Sequence, residues 1–179
     1  MVHMIDGWQL GDMAAFEALF RQYERLVFKN AYLITGAKEE AEDVLQEVFV
    51  AVWSSRHTFD PGRGKLTTWL HRITVNKCLE GRRKKRLVPV PLEAQNLPDT
   101  QLSDEVPVSR QEYEKLMEAM DSLDKKHRTV LVLRYFNDLP YEEIAQIAGI
   151  PLGTVKSRLN QALKLLRGRL ETQNGKTPG

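Results

Sequence analysis

The sequence of 179 residues has a single cysteine, Cys78, and no long hydrophobic run. One thiol cannot form a disulfide within the chain, which excludes disulfide-stabilised secreted domains and fits a reducing cytoplasm. No apolar stretch approaches the roughly 18 residues that a membrane-spanning helix needs, and the first residues, MVHMIDGW, lack a secretory pattern. We therefore expect a cytoplasmic protein without membrane insertion. Cys78 falls within a helical pattern, where a core thiol is more common than a redox sensor.

The usual signatures of enzymes and metal proteins are also missing. The four histidines are scattered along the chain, at His3, His57, His71 and His127. They show no metal-ligand spacing, and no Gly-rich phosphate-binding loop is present. The sequence therefore predicts no catalytic site, no metal and no cofactor.

Charge is distributed very unevenly, although the formal net charge is only +2. The segment GTVKSRLNQALKLLRGRL, residues 153–170, holds five basic side chains and no acidic one. Residues 71–86 hold seven lysines and arginines against one glutamate, whereas residues 36–50 hold five acidic side chains against one lysine. Two separate concentrations of positive charge predict two places where the chain meets an anion.

The hydrophobic pattern predicts an all-α fold. Apolar residues recur at intervals of three and four through residues 13–35, 39–53 and 66–86, and again in several runs after residue 110, while no stretch favours a strand. Between these parts, residues 87–110 contain four prolines and an excess of acidic side chains, a composition typical of a flexible linker. We expect two helical domains, residues 1–86 and residues 111–179, joined by a linker at 87–110.

The basic helix forms the second half of a predicted helix-turn-helix, YEEIAQIAGIPLGTVKSRLNQAL, whose turn contains Gly149. The expected shared core consists of Ile144, Ala145, Ala148, Val155 and Leu159. In this motif the second helix enters the major groove of DNA and presents base-contacting and phosphate-contacting residues. The candidates are Thr154, Lys156, Ser157, Arg158, Asn160, Gln161 and Lys164. The alternative is an ordinary amphipathic helix with a solvated basic face.

Two further surfaces follow from the N-terminal part. Basic residues near Trp69 and a glycine-containing loop suit single-stranded nucleic acid, with a core tryptophan and a solvated basic tail as the alternatives. On the acidic helix, Ala41, Val44, Val48 and Val52 form a buried stripe. Asp43, Gln46, Glu47 and Val50 form another face. Carboxylates gain nothing towards DNA, so this face favours a basic protein partner over plain solvation.

Three stretches resemble, in order, the extracytoplasmic-function (ECF, group 4) sigma factors, the two-domain promoter-recognition subunits of bacterial RNA polymerase. They are AEDVLQEVFVAVW, FDPGRGKLTTWLHRITVNKCLEGRRKKR and LDKKHRTVLVLRYFNDLPYEEIAQIAGIPLGTVKSRLNQALKLLR. The resemblance implies a sigma region 2 bundle, which docks on polymerase and opens the −10 element, and a region 4 helix-turn-helix, which recognises the −35 element. The implied partners are core RNA polymerase (β′ clamp and β flap), promoter DNA in duplex and single-stranded form, and an anti-sigma factor.

The resemblance also assigns residue roles. It implies polymerase binding by Asp43, Gln46, Glu47 and Phe49, with Phe49 as core the alternative. It implies a loop, residues 56–65, that receives a flipped base, and a −10 set of Arg56, His57, Arg63, Lys65, Trp69, Arg72, Asn76, Lys77, Arg82 and Arg83. Asn160 and Gln161 stand where the family often has aromatic or basic residues, which leaves the −35 sequence open. The competing hypothesis is a helix-turn-helix regulator that acts on duplex DNA without polymerase.

Overall fold

The structure is a computed structural model that describes residues 2–80 and 110–174, and every regular element in this part of the chain is helical. The all-α prediction is therefore confirmed for these residues. They form two compact units, one containing residues 2–32 and 37–80 and the other containing residues 33–36 and 110–174. The predicted linker lies outside the described residues except for Arg110, and so do the basic residues 82–86.

The first unit consists of four α-helices and one 3₁₀ turn, except that residues 33–35 at the end of α2 belong to the second unit. They are α1 (Val2–Gln9), α2 (Met13–Thr35), α3 (Lys38–Ser54), the 3₁₀ turn (Arg56–Thr58) and α4 (Leu66–Glu80). The sequence did not predict α1, because eight residues with little periodicity are a weak helical signal. The predicted end of α2 is confirmed: Gly36 follows it with φ +76°, a conformation that glycine adopts without steric cost.

Helix α3 packs against α4 and buries one side of its surface. The predicted stripe of Ala41, Val44, Val48 and Val52 is buried, and Leu45 and Phe49 are buried beside it. The ring of Phe49 lies 4.7 Å from that of Phe20 and 6.3 Å from that of Phe16, measured between centroids. These contacts join α2 to α3 through aromatic packing.

Helix α4 packs against α3 and buries one polar pair. The Asn30 side-chain nitrogen lies 3.0 Å from Nδ1 of His71, and both residues are buried. The amide donates, so Nδ1 accepts. Cys78 is fully buried on the same helix, as the sequence predicted.

The second unit consists of four α-helices and a π-helical turn. They are α5 (Arg110–Met120), α6 (Lys125–Leu131), the π turn (Val132–Phe136), α7 (Tyr141–Ala148) and α8 (Leu152–Asn174). Helix α8 packs against α5, α6 and α7, so it is the common element of this unit. Asp124 caps α6, because its carboxylate accepts the His127 backbone N–H at 2.9 Å.

Helices α7 and α8 form the predicted helix-turn-helix. Gly149 ends α7 in the left-handed conformation (φ 63°, ψ 37°), and α8 begins after only three intervening residues. In α7 and the first two turns of α8, the buried residues are Ile144, Ile147, Val155 and Leu159. Ala145 and Ala148 lie at the edge of this core and are only half-buried, contrary to the prediction. Because a helix of two turns buries only a narrow stripe, Ile144 and Ile147 fill the core positions of α7 and the two alanines lie beside them.

Candidate nucleic-acid interface

The acidic face of α3 is exposed. Asp43, Gln46 and Glu47 lie at i, i+3 and i+4, so they share one side of the helix, and all three side chains are solvent-accessible. Neither carboxylate forms an ion pair with another described residue. The face therefore presents two free negative charges beside the half-buried Val50.

Phe49 does not belong to this face. Its side chain is 0% exposed and its ring packs on Phe16 and Phe20. This burial contradicts the predicted contact of Phe49 with polymerase and agrees with the alternative, that Phe49 is a core residue. On a helix, position 49 is close enough to position 46 to share its side, and only the packing of α2 over that edge separates the two.

The loop at residues 56–65 has an internal turn. The Asp60 carboxylate accepts the Gly62 N–H at 2.8 Å, and the Asp60 carbonyl accepts the Arg63 N–H at 3.0 Å. An aspartate that bonds its own backbone two residues later forms a local turn without help from elsewhere. Three candidate DNA-binding residues of this loop are exposed: His57, Arg63 and Lys65.

Arg56, the fourth candidate in the loop, is held against the end of α3. Its guanidinium donates to the Trp53 carbonyl at 2.8 Å and lies 4.6 Å from the centroid of the Trp53 ring. A guanidinium over an indole face is stabilised by the ring quadrupole. The Arg56 side chain therefore folds back onto α3 and does not extend from the loop towards solvent.

A stripe that begins at Lys65, just before α4, and continues along that helix carries three more candidates, Trp69, Arg72 and Asn76. Lys65, Trp69, Arg72 and Asn76 follow at i, i+4, i+7 and i+11, which places them in line along the helix. Lys65, Arg72 and Asn76 are exposed, and Trp69 is half-buried.

Three predicted residues do not join this stripe among the described residues. Lys77 lies on another side of α4 and pairs with Glu80 at 3.1 Å. Arg82 and Arg83 lie outside the described residues, so their predicted role stays a prediction.

Helix α8 separates its apolar and polar sides. The buried residues are Val155, Leu159, Ala162 and Leu166. The predicted DNA-contacting residues that are exposed are Lys156, Ser157, Asn160, Gln161 and Lys164. Thr154 and Arg158 are half-buried at the flanks of this surface, which we call the recognition face. Small and amide side chains near the helix start, followed by Lys164 two turns later, can contact base edges and then phosphate.

An apolar groove in the second unit was missed by the sequence reasoning. It has a volume of about 310 Å³ and is lined by Tyr113, Leu116, Leu131, Tyr135, Phe136, Leu163 and Leu166. Tyr135 is 55% exposed and Leu163 is 39% exposed. The signal that could have indicated it is Leu163, because α8 carries more apolar residues than one face of a helix can bury.

The ionisable group Asp124 has a structural role at the start of α6. The pKa of Asp124 is lowered, first because its carboxylate accepts the His127 backbone N–H. Within residues 2–80 and 110–174, no three His, Cys, Asp or Glu side chains are grouped so that they could hold a metal ion. No helix in the same residues is long and apolar enough to cross a membrane.

Two protein-family models match the chain, one over each of the two units that carry these surfaces. Sigma-70 region 2 matches residues 19–88, which include the acidic face, the loop and α4. Sigma-70 region 4 matches residues 113–166, which include the helix-turn-helix.

Curated proteins match over almost the whole chain. The chain is 32% identical to the ECF RNA polymerase sigma factor SigW of Bacillus subtilis, over 89% of this chain and 91% of that protein. It is 35% identical to the ECF RNA polymerase sigma factor RpoE of Cereibacter sphaeroides, over 87% of this chain and 86% of that protein.

Solved structures share the fold. CnrH, solved in complex with the cytosolic domain of CnrY, aligns with a TM-score of 0.66 at 23% identity, covering 94% of this chain and 96% of that one. The sigma factor RpoE of Bartonella quintana, solved with the anti-sigma factor NepR, aligns with a TM-score of 0.61 at 21% identity, covering 87% and 96%. At these identities the structures support the fold alone, whereas the curated relatives support the family. The chain therefore belongs to the ECF family of RNA polymerase sigma factors.

Proposed function

We propose that the chain is an alternative sigma factor that binds core RNA polymerase in the cytoplasm and directs it to specific promoters for transcription initiation. The observation that carries the proposal is the separation of three chemically distinct surfaces: an acidic face on α3, an aromatic and basic surface around α4, and the recognition face of α8. We assign residues 1–86 to region 2, residues 87–110 to a linker, and residues 111–179 to region 4.

The acidic face is the proposed contact with the β′ clamp of polymerase. Asp43 and Glu47 would repel DNA phosphates, so their exposure beside surfaces that attract DNA calls for a protein partner. A complementary basic surface would orient the chain during association and stabilise the bound state. Gln46 lies between the two carboxylates and can add a hydrogen bond.

The loop and the α4 stripe form the proposed −10 surface. A base extruded from the duplex loses its stacking, at a cost of a few kcal/mol, and contacts in a pocket must offset that loss. The turn around Asp60 supplies a preformed loop, while Lys65 and Arg72 supply positive charge for the strand. Arg82 and Arg83 would continue this charge beyond Glu80.

The recognition face is the proposed −35 contact. A helix-turn-helix places the start of its second helix in the major groove, where Lys156 and Gln161 can reach base edges. Lys164 lies further along the same exposed side and suits a phosphate.

The apolar groove is the proposed contact with the polymerase β flap. A groove lined by aromatic and leucine side chains suits an apolar segment of a protein rather than nucleic acid. An anti-sigma factor would inhibit the chain by covering such protein-binding surfaces. The solved complex of RpoE with the anti-sigma factor NepR supports this partner class.

The experiment that tests the proposal is competition for core polymerase. The double substitution Asp43→Lys with Glu47→Lys should abolish competition and promoter-specific transcription. Both positions are exposed, so each substitution should change the free energy of unfolding by less than about 0.5 kcal/mol. The matched control reverses two other exposed acidic residues of the same unit, Asp6→Lys with Glu17→Lys, and should compete like the wild type. Glu17 pairs with Arg21 at 2.6 Å, but loss of such an exposed pair costs at most about 1 kcal/mol.

Equal competition by a folded double variant would contradict docking through α3. Tight binding of the isolated wild-type chain to one duplex site, unaffected by added core polymerase, would favour the polymerase-independent regulator instead.

A further inference from the structure

The N-terminal helix α1 lies outside the part of the chain that the region 2 family model matches, which begins at residue 19. It nevertheless packs against the 3₁₀ turn that opens the loop at residues 56–65. We propose that α1 positions this loop, through Gln9 and Trp8, and thereby sets its selectivity among unstacked bases. This inference rests on the proposed function of the loop in −10 recognition.

Gln9 holds the backbone of the loop at two points. Its side-chain nitrogen donates to the carbonyl oxygen of Phe59 at 2.6 Å and to that of Arg56 at 3.3 Å. Both partners are acceptors, so only the nitrogen end of the amide can serve. Arg56 begins the 3₁₀ turn and Phe59 follows its last residue. One side chain of α1 therefore joins the two ends of this turn.

Trp8 connects α1 to both parts of the −10 surface. It is 0% exposed, and its ring centroid lies 6.2 Å from that of Phe59 in the loop and 5.7 Å from that of Trp69 on α4. The rings of Phe59 and Trp69 are themselves 5.5 Å apart. Ring pairs at these distances and at tilted or edge angles are favourable beyond their burial. Trp69 is the half-buried member of the α4 stripe, between the exposed Lys65 and Arg72, so this aromatic cluster lies beneath the proposed DNA surface.

Helix α1 is itself fixed to α2 by a tight turn. Gly11, with φ +89°, donates to the Trp8 carbonyl at 2.9 Å, and the Asp12 N–H donates to the Gly7 carbonyl at 2.9 Å. A Cβ added to Gly7 would lie 3.1 Å from the Cβ of Ala15, so the two helices approach closely there. An isolated helix of eight residues is not stable in water. The position of Gln9 is therefore set by packing against the rest of the unit.

A fixed loop matters for selectivity because a pocket distinguishes bases only when its own groups hold their positions. A loop that adjusts to each base makes compensating contacts, and the differences in affinity between bases shrink. Losing the Gln9 amide would release two carbonyls and allow the loop other conformations. The expected consequence is weaker discrimination at one base position, without a general loss of binding.

The test uses the full chain in complex with core polymerase and, as probe, a pool of short single-stranded DNA oligonucleotides of random sequence. Sequencing of the bound fraction gives the base preference at each position. The variant Asp60→Ala, which breaks the turn inside the loop, identifies the position that the loop contacts. At that position Gln9→Met should lower the preference about five- to tenfold, the effect of one or two hydrogen bonds. Preferences at other positions should not change.

The matched control is Gln22→Met, which makes the same substitution at an exposed position on α2 and should leave all preferences unchanged. A ratio between bases is insensitive to partial unfolding, because unfolded chains bind none of them. A purely structural role of Gln9 would weaken binding of all sequences alike and would contradict the inference.

The outcomes separate the inference from the function on which it rests. If Asp60→Ala changes no position, the loop does not bind a base and both proposals fail. If Asp60→Ala changes one position and Gln9→Met leaves it unchanged, the positioning role alone is refuted. Acrylamide quenching adds a second measurement, since Trp8, Trp53 and Trp69 all contact this region. Quenching of the free chain should increase in Gln9→Met, and unchanged quenching would refute release of the loop.

Discussion

The substitution Lys164→Ala tests whether the recognition face of α8 contacts DNA phosphates. Lys164 is exposed on the side of the helix opposite the buried Leu159 and Ala162, and it forms no ion pair with another described residue. Phosphate contacts do not depend on base sequence, so a duplex of arbitrary sequence serves as ligand even though the promoter is unknown. Removing one such contact should make the slope of log K against log salt less steep by about 0.9.

The expected change in slope determines the salt range and the precision that the binding assay needs. Between 50 and 200 mM salt, a slope difference of 0.9 amounts to a factor of about 3.5 in affinity. The wild-type chain should therefore bind more tightly than Lys164→Ala at 50 mM, and its advantage should fall by that factor at 200 mM. Fluorescence anisotropy of a labelled duplex across this range resolves the difference.

Arg169→Ala is the matched control on the same helix. Position 169 is exposed but lies five residues further on, about 140° around the helix from Lys164. This variant removes the same charge away from the recognition face and should keep the wild-type slope. Equal slopes for the wild type and Lys164→Ala would refute the phosphate contact. Equal reductions in both variants would mean that the whole charge of α8 acts on DNA, without a defined face.

Three further predictions concern the framework that holds these surfaces. Phe49→Ala should lower the free energy of unfolding by about 3–5 kcal/mol in urea denaturation, because it removes a fully buried ring. A change below about 1 kcal/mol would contradict the core role of Phe49. Gly149→Ala should cost about 1–2 kcal/mol from its positive φ alone, since no atom lies within 4 Å of the added Cβ, and Gly149→Asn should cost less. Asp124→Ala should cost about 1 kcal/mol at neutral pH. The native pKa of Asp124 is lowered, so the stability that its carboxylate contributes is present above the unfolded pKa and should be lost as the pH falls below about 4. Denaturation of the wild type and Asp124→Ala at several pH values measures this loss. A stability difference between the two proteins that does not depend on pH would contradict the charged cap.

Much of the fold could be predicted from the sequence because it depends on local chemistry. Gly36 and Gly149 end helices in conformations that other residues rarely adopt, and Asp124 carries the capping carboxylate that a helix start needs. These requirements involve only a few neighbouring residues. The same holds for the buried stripe of α3, since apolar spacing reveals which residues share a side of a helix.

Sequence determined which side chains share a helical face, and only the tertiary structure decided what covers each face. Phe49 lies near the acidic face by helical geometry, yet aromatic rings from α2 cover it. Leu163 follows the apolar pattern of α8, yet no described helix covers it fully and it lines a groove. The two hydrogen bonds of Gln9 join residues 47 and 50 positions apart. Such contacts form when separate helices pack, and no periodicity in a single stretch of sequence encodes them.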